Sequence, residues 1–236
     1  MIDLSKIEAV AFDADDTLWD CQSHFEAVEK RYCRLLSGYG DEEAVSGSLF
    51  RTEAANMALL GYGTKAFTLS LIENAVAVSG GRVSGETVGE IVRMGKSLLE
   101  MPATPLPGVR ETLERLSEHT ALRLAVFTKG ELLDQENKLK RSGLAGFFSH
   151  VEVVSDKTCR EYKALCRHLG VAPDRLLMVG NSFRSDIAPA IEAGACAVHI
   201  PFHVVWELEK AEEFDHECIV RLTEFSGLCE VLGVEK

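Results

Sequence analysis

The chain has 236 residues, 46% hydrophobic and 26% charged, so it is long enough to bury a substantial hydrophobic core. Its formal net charge of −12 at pH 7 disfavours nucleic acids and anionic membranes as partners, because both would repel it. The seven cysteines form no Cys-x-x-Cys pair and no apolar run approaches the ~20 residues of a bilayer helix, so we expect a cytoplasmic protein with reduced thiols, no structural zinc and no membrane segment.

The first predicted strand ends in a group of carboxylates. Residues 9–12 are all apolar, which is typical of a parallel strand covered on both faces, and Asp13, Asp15 and Asp16 follow it at once. Because residues two apart in an extended backbone point the same way, Asp13 and Asp15 are expected to face one reacting centre. Such a pair can provide a nucleophile and a proton carrier, and a solvated acidic turn is the ordinary alternative.

Helical periodicity dominates the next part of the chain. The first helix ends at about residues 37–40, and three more are predicted at about 41–60, 65–78 and 86–99. Residues 101–108 contain three of the six prolines and are predicted to be a linker. The domain organisation that follows is an all-helical unit, residues 20–103, inserted into a unit formed by residues 1–19 and 104–236.

After the linker, helices alternate with strands. Five more strands are predicted, at about residues 122–127, 150–154, 175–180, 196–200 and 217–220. This alternation predicts the α/β class, with a Rossmann-like parallel sheet and helices on both faces. Polar residues follow three of these strands, and they are expected at the same carboxyl edge of the sheet as Asp13: Thr128 and Lys129, then Lys157, then Asn181 and Asp186.

The residue types at this edge suit a phosphoryl group and a hard metal ion. The hydroxyl of Thr128, the amides of its turn and the neighbouring Lys129 can bind an anion. Lys157 can neutralise a phosphoryl group, and Lys163 is a competitor for that role. Mg²⁺ prefers oxygen ligands, which three side chains can supply or support: Asp13, Asn181 and Asp186.

The sequence Phe-Asp-Ala-Asp-Asp-Thr-Leu at residues 12–18 resembles the first motif of the haloacid dehalogenase superfamily. Most members of that superfamily are phosphate-ester hydrolases that form an aspartyl-phosphate. The resemblance implies that Asp13 is the nucleophile, that Asp15 is the general acid and base, and that the main-chain carbonyl of Asp15 is a magnesium ligand. True dehalogenases have an aromatic residue in place of the second aspartate, so Asp15 argues against dehalogenation.

The resemblance extends to the later motifs and to the helical insertion. Thr128 and Lys157 match the second and third motifs, whereas Asn181 stands where the fourth motif normally begins with Asp. The insertion resembles the family's cap, which closes over the active site and supplies substrate contacts. Lys65, in a glycine-flanked turn between two predicted helices, is our candidate for such a contact, and a plain helix connection is the alternative.

The predicted function is magnesium-dependent hydrolysis of a small phosphomonoester through an aspartyl-phosphate on Asp13. The partner is then a small phosphorylated metabolite and the cofactor is Mg²⁺. One alternative is a phosphomutase or phosphotransferase that uses the same nucleophile. The other is a catalytically weak, ligand-binding regulatory module.

Overall fold

The computed structural model describes residues 6–234, which divide into two compact units. Of the described residues, one unit contains 6–21 and 103–234, and the other is Gln22–Pro102. The first unit carries the strands and the second is helical. Each unit is described by itself.

The first unit is built on a parallel sheet of six strands in the order β3-β2-β1-β4-β5-β6. Every neighbouring pair of strands runs parallel, which confirms the predicted α/β class with a Rossmann-like sheet. The strands are β1 (Ala9–Phe12), β2 (Arg123–Lys129), β3 (His150–Val154), β4 (Leu176–Gly180), β5 (Cys196–His199) and β6 (Ile219–Arg221).

The helices that pack on this sheet are α5 (Val109–His119), α6 (Leu132–Ser142), α7 (Cys159–Leu169), α8 (Ala188–Glu192) and α9 (Leu228–Val231). They cover both faces of the sheet, because the side chains of β1 alternate between two apolar layers. Val10 and Phe12 face a layer that includes residues of α5, α6 and α9, whereas Ala9 and Ala11 face a layer that includes residues of α7 and α8. All four β1 residues are fully buried.

The pairing register places the carboxyl ends of β1 and β4 almost level with each other, and β2 continues past them to Lys129. Phe12, the last residue of β1, pairs with Val126 of β2 and with Val179 of β4. Residues that follow β1, β2 and β4 therefore emerge at the same carboxyl edge of the sheet. This edge is where ligands bind in open parallel α/β sheets.

The second unit contains four helices around an apolar core of its own. Asp41 and Ser84 cap two of them, because their side chains accept hydrogen bonds from the main-chain N–H groups of Ala44 and Thr87. The helices are α1 (Gln22–Leu35), α2 (Glu42–Leu60), α3 (Thr64–Val78) and α4 (Gly85–Leu99). None of the helices within residues 6–234 combines the length and apolar character that a membrane crossing requires.

Candidate active site

Asp13 directly follows β1 and is almost completely buried. Its main-chain N–H donates to the carbonyl of Val179 at 2.9 Å, which fixes the backbone beside β4. One carboxylate oxygen, Oδ1, accepts from Nζ of Lys157, and the other, Oδ2, accepts from the hydroxyl of Thr17 at 3.1 Å. Burial raises the pKa of Asp13 to about 7, although Lys157 opposes the increase.

Lys157 lies between two buried carboxylates. Its Nζ donates to Asp13 and, at 2.6 Å, to Oδ1 of Asp186. Burial alone would lower the pKa of Lys157, but the two carboxylates outweigh burial and raise it, so the side chain is an ammonium ion. Lys163, the competing candidate, is exposed on α7. Of the two lysines, the structure therefore brings Lys157 to Asp13.

Asn181 and Asp186, which follow β4, contact this group in different ways. Oδ1 of Asn181 accepts from the hydroxyl of Thr17 at 3.1 Å, and the same hydroxyl also reaches Asp13. Both carboxylate oxygens of Asp186 have protein partners, namely Lys157 for Oδ1 and the main-chain N–H of Ser182, at 2.9 Å, for Oδ2. Asp13, Lys157, Asn181 and Asp186 thus form one connected cluster.

A wide helical turn returns Asp186 to the end of β4. Phe183–Ile187 forms a π-helical turn that leads directly into α8. A Cβ atom on Gly180 would lie 2.3 Å from Oδ2 of Asp186, so this approach requires glycine. The hydroxyl of Tyr162 lies 3.0 Å from the carbonyl of Asp186 and holds the turn from the side of α7. Such turns are frequent at functional sites.

Thr128 and Lys129 are the last two residues of β2, which the sequence predicted to end at about residue 127, and Lys129 has a partner that the sequence did not reveal. Its Nζ donates to Oε1 of Glu209 and to Oγ of Ser185, both at 2.6 Å. Thr128 itself is buried beside it. Glu209 belongs to an acidic stretch of the sequence, yet its side chain is only 15% exposed.

Glu209 is held by three donors. The hydroxyls of Ser182 and Ser185 donate to its Oε2 at 2.6 and 2.5 Å, and Lys129 binds its other oxygen. Burial would raise the pKa of Glu209, but Lys129 and these hydrogen bonds outweigh burial and lower it. An ionised glutamate therefore ties the end of β2 to the turn after β4.

Asp15 has a set of partners separate from those of Asp13. Its carboxylate accepts from Nζ of Lys138 at 2.6 Å, and from Nε2 of Gln135 and Nε1 of Trp19, both at 2.8 Å. Burial would raise the pKa of Asp15, but Lys138 and these hydrogen bonds lower it overall. Asp15 is thus an ionised carboxylate bound to α6. Gln135 and Lys138 are three positions apart, so they lie on one face of α6, and this spacing is the feature of the sequence that could have indicated the contact.

Lys65 lies in the first turn of α3, within the helical unit. Its contact with substrate stays a prediction. The other proposed residues, by contrast, all belong to the unit that carries the sheet.

The fold and these side chains define a class of α/β enzymes with carboxylates and lysines at the carboxyl edge of a parallel sheet. The model of the haloacid dehalogenase-like hydrolase family matches residues 7–194, and the chain belongs to this family.

Named relatives agree with that assignment. The glyceraldehyde 3-phosphate phosphatase of Methanothermobacter thermautotrophicus is 29% identical over 220 residues, covering 89% of this chain and 90% of the relative. The human N-acylneuraminate-9-phosphatase is 26% identical, with 81% of each chain covered. A haloacid dehalogenase-like family hydrolase from Xanthomonas campestris superposes with a TM-score of 0.87 at 30% identity, covering 97% of this chain and 91% of its own. These findings confirm the predicted class of enzyme, a phosphatase of this family.

Proposed function

We propose that this enzyme hydrolyses a small phosphomonoester with the help of Mg²⁺ and through an aspartyl-phosphate on Asp13. The observation that carries the proposal is the carboxylate of Asp13, held at the end of β1 by Lys157 on one oxygen and Thr17 on the other. The two phosphatase relatives are named for small phosphorylated metabolites, which supports a substrate of that class.

The chemistry assigned to Asp13 is in-line displacement at phosphorus. A carboxylate oxygen of Asp13 forms a bond to phosphorus while the bond from phosphorus to the alcohol oxygen breaks, and the departing oxygen takes a proton that Asp15 has taken up with the substrate. Water then attacks the aspartyl-phosphate and gives a proton to the carboxylate of Asp15, which releases inorganic phosphate and restores the carboxylate of Asp13. Lys157 and the turn at Thr128 stabilise the charge on the phosphoryl oxygens.

The oxygen donors beside Asp13 fit a hard divalent cation. Oδ2 of Asp13 and Oδ1 of Asn181 each lie 3.1 Å from the Thr17 hydroxyl, which has one proton and donates to one of them at a time, so the other oxygen keeps its lone pairs available. We assign these two side chains as magnesium ligands, together with the main-chain carbonyl of Asp15. Asp186 supports the site through Lys157, because both of its oxygens already have protein donors. When bound, Mg²⁺ neutralises charge on the transferred phosphoryl group.

A direct test measures phosphate release from a panel of phosphorylated metabolites, including glyceraldehyde 3-phosphate, with Mg²⁺ and with EDTA. We expect release that requires Mg²⁺ and a phosphorylated Asp13 peptide in acid-quenched samples analysed by mass spectrometry. Release that persists undiminished in EDTA would contradict the assigned cofactor. Transfer to an added alcohol in place of water would indicate the phosphotransferase alternative.

Asn181→Asp should tighten Mg²⁺ binding because it adds a negative charge to an oxygen ligand. We expect a decrease of about tenfold in the half-saturating Mg²⁺ concentration, since adjacent unit charges interact by about 4 kcal/mol at an effective dielectric constant of 20 and only part of that is gained. Turnover can fall at the same time, because the new carboxylate lies near Asp13 and an anionic substrate. Calorimetric titration with Mg²⁺ and the Mg²⁺ dependence of activity provide two readouts.

The matched control is Asn137→Asp, which adds the same charge on α6. It should leave Mg²⁺ binding unchanged within about twofold, because water screens a partly exposed charge. An identical half-saturating concentration for wild type and Asn181→Asp would remove Asn181 from the metal site.

Asp15 is proposed as the proton carrier, and its ionised state suits the activation of water in the second step. Asp15→Asn should slow hydrolysis of the aspartyl-phosphate by about 10²- to 10⁴-fold, the usual contribution of a general base. The rate of the first step should be unchanged for p-nitrophenyl phosphate, because its leaving group needs no proton. For an alkyl phosphate the first step should also be slower. Rapid mixing should therefore show a burst of p-nitrophenol followed by slow turnover.

Asp16→Asn is the control for that experiment. Oδ1 of Asp16 accepts from the main-chain N–H of Cys21 at 2.8 Å, and an asparagine keeps this acceptor and tolerates the positive φ of 65° at that position. It should show neither a burst nor a large loss of rate. If Asp15→Asn slows the first step equally for aryl and alkyl phosphates, Asp15 does not protonate the leaving group.

A further inference from the structure

A cluster of two histidines and one glutamate lies on the outer strand of the sheet. His150 and Glu152 are two residues apart on β3, the edge strand next to β2, so their side chains share a face. His168, in the last turn of α7, reaches the same place. Nε2 of His150 is 3.0 Å and Nδ1 of His168 is 2.8 Å from the same oxygen, Oε2 of Glu152.

We propose that His150, Glu152 and His168 form a binding site for a borderline divalent transition-metal ion, with Zn²⁺ as the representative ion. One ligand atom from each of the three residues lies within 4.8 Å of the other two. Two imidazole nitrogens and one carboxylate oxygen are a set of three protein ligands that Zn²⁺ uses when it keeps a position open for water. Mg²⁺ prefers oxygen ligands, so it would not compete well here.

The exposure of the three side chains is compatible with entry of an ion. Glu152 is 16% exposed and is held in place, whereas the side chains of His150 and His168 are 32% and 56% exposed. Hydrogen bonds from both imidazoles to Glu152 are a second explanation of the short distances, and they need no metal ion. Both interpretations predict the same contacts in the ion-free protein, so a binding measurement must distinguish them.

This site is not apparent from the sequence, because the spacing of its residues is not local. Glu152 and His168 are separated by 16 residues, and only the packing of α7 beside β3 brings them together. The residues between these two elements include Lys157. A bound ion would therefore connect the two elements that hold the Lys157 loop, and would stabilise the folded state by mass action.

The test is calorimetric titration of the full-length enzyme with Zn²⁺ in saturating Mg²⁺. Wild type should bind one equivalent of Zn²⁺. His168→Ala and Glu152→Gln should each lower the affinity for Zn²⁺ by about tenfold or more, because losing even a residue that only supports a metal ligand lowers metal affinity by about that much. His119→Ala is the matched control: His119 is exposed and its Nε2 lies 3.9 Å from Glu118, so its removal should change nothing. Zn²⁺ should raise the melting temperature of wild type and of His119→Ala, but not of His168→Ala.

Repeating the titration with Co²⁺ distinguishes metal binding at these three residues from metal binding by cysteines. A site of nitrogen and oxygen ligands gives d–d absorption without the near-ultraviolet charge-transfer band that thiolate ligands produce. Loss of the d–d bands in His168→Ala supports the proposal. The proposal is overturned if wild type binds no Zn²⁺ saturably, if the variants bind with wild-type affinity, or if the Co²⁺ spectrum shows thiolate ligation. Phosphatase activity with Mg²⁺ should be unchanged in His168→Ala, so the result is independent of the proposed catalytic mechanism.

Discussion

Asp13→Asn should give a folded protein whose phosphate release is slower than that of wild type by about 10⁴-fold or more, as expected when a covalent nucleophile is removed. The amide has nearly the same size as the carboxylate but no anionic oxygen to attack phosphorus. Its oxygen can still accept from Lys157, and its NH2 group can donate to the hydroxyl of Thr17, which in turn can donate to Asn181. Lys157 also keeps Asp186 as an anionic partner, so the loss should lie in the chemical step and not in folding.

The measurement is the initial rate of phosphate release at saturating Mg²⁺, with circular dichroism and thermal melting as checks of folding. Asp215→Asn provides the matched control, because the side chain of Asp215 is 96% exposed and pairs with Arg221 at the surface. That control should retain wild-type activity. Near-normal turnover by Asp13→Asn, or an unchanged amount of phosphorylated enzyme after acid quench, would exclude Asp13 as the nucleophile.

The parts of the site that follow strands could be predicted because the signals are local. An apolar run such as residues 9–12 indicates a buried strand, and the polar residue that follows must then lie at the carboxyl edge of a parallel sheet. The positions of Asp13, Lys157 and Asn181 relative to their strands depend only on this reasoning. The observed bounds of β3, His150–Val154, agree with the prediction for the same reason.

The partners of those residues could not be predicted, because they depend on packing between distant segments. Lys138 reaches Asp15 across 123 positions, and Glu209 reaches Lys129 across 80. A buried charge needs an opposite charge, but the sequence does not say which of the many available lysines or glutamates will supply it. The π-helical turn at Phe183–Ile187 was missed because its residues resemble those of an ordinary helix start, with Ser182 as the capping residue.

Lys157→Met should reduce both stability and activity. Methionine fills much of the same volume but leaves Asp13 and Asp186 buried without their cation, and breaking a buried ion pair from one side costs about 3–5 kcal/mol. The pKa of Asp13 should also rise above about 7, because Lys157 is the main group that lowers it. Urea denaturation measures the free energy of unfolding, and phosphate release measures activity. Lys163→Met is the control, since Lys163 is exposed and should tolerate the change.

A second substitution separates the two roles of Lys157. The double variant Lys157→Met, Asp186→Asn has only one buried carboxylate left, because the second is replaced by a neutral amide. Part of the lost stability should therefore return, and the effects of the two substitutions on the free energy of unfolding should be strongly non-additive. Activity should stay low, because the ammonium that stabilises the phosphoryl oxygens is still absent. The Asp186→Asn single variant closes the double-mutant cycle, with the free energy of unfolding and the rate of phosphate release measured for all four proteins. If turnover returns together with stability, Lys157 serves only to neutralise Asp186, and its proposed contact with the phosphoryl group is wrong.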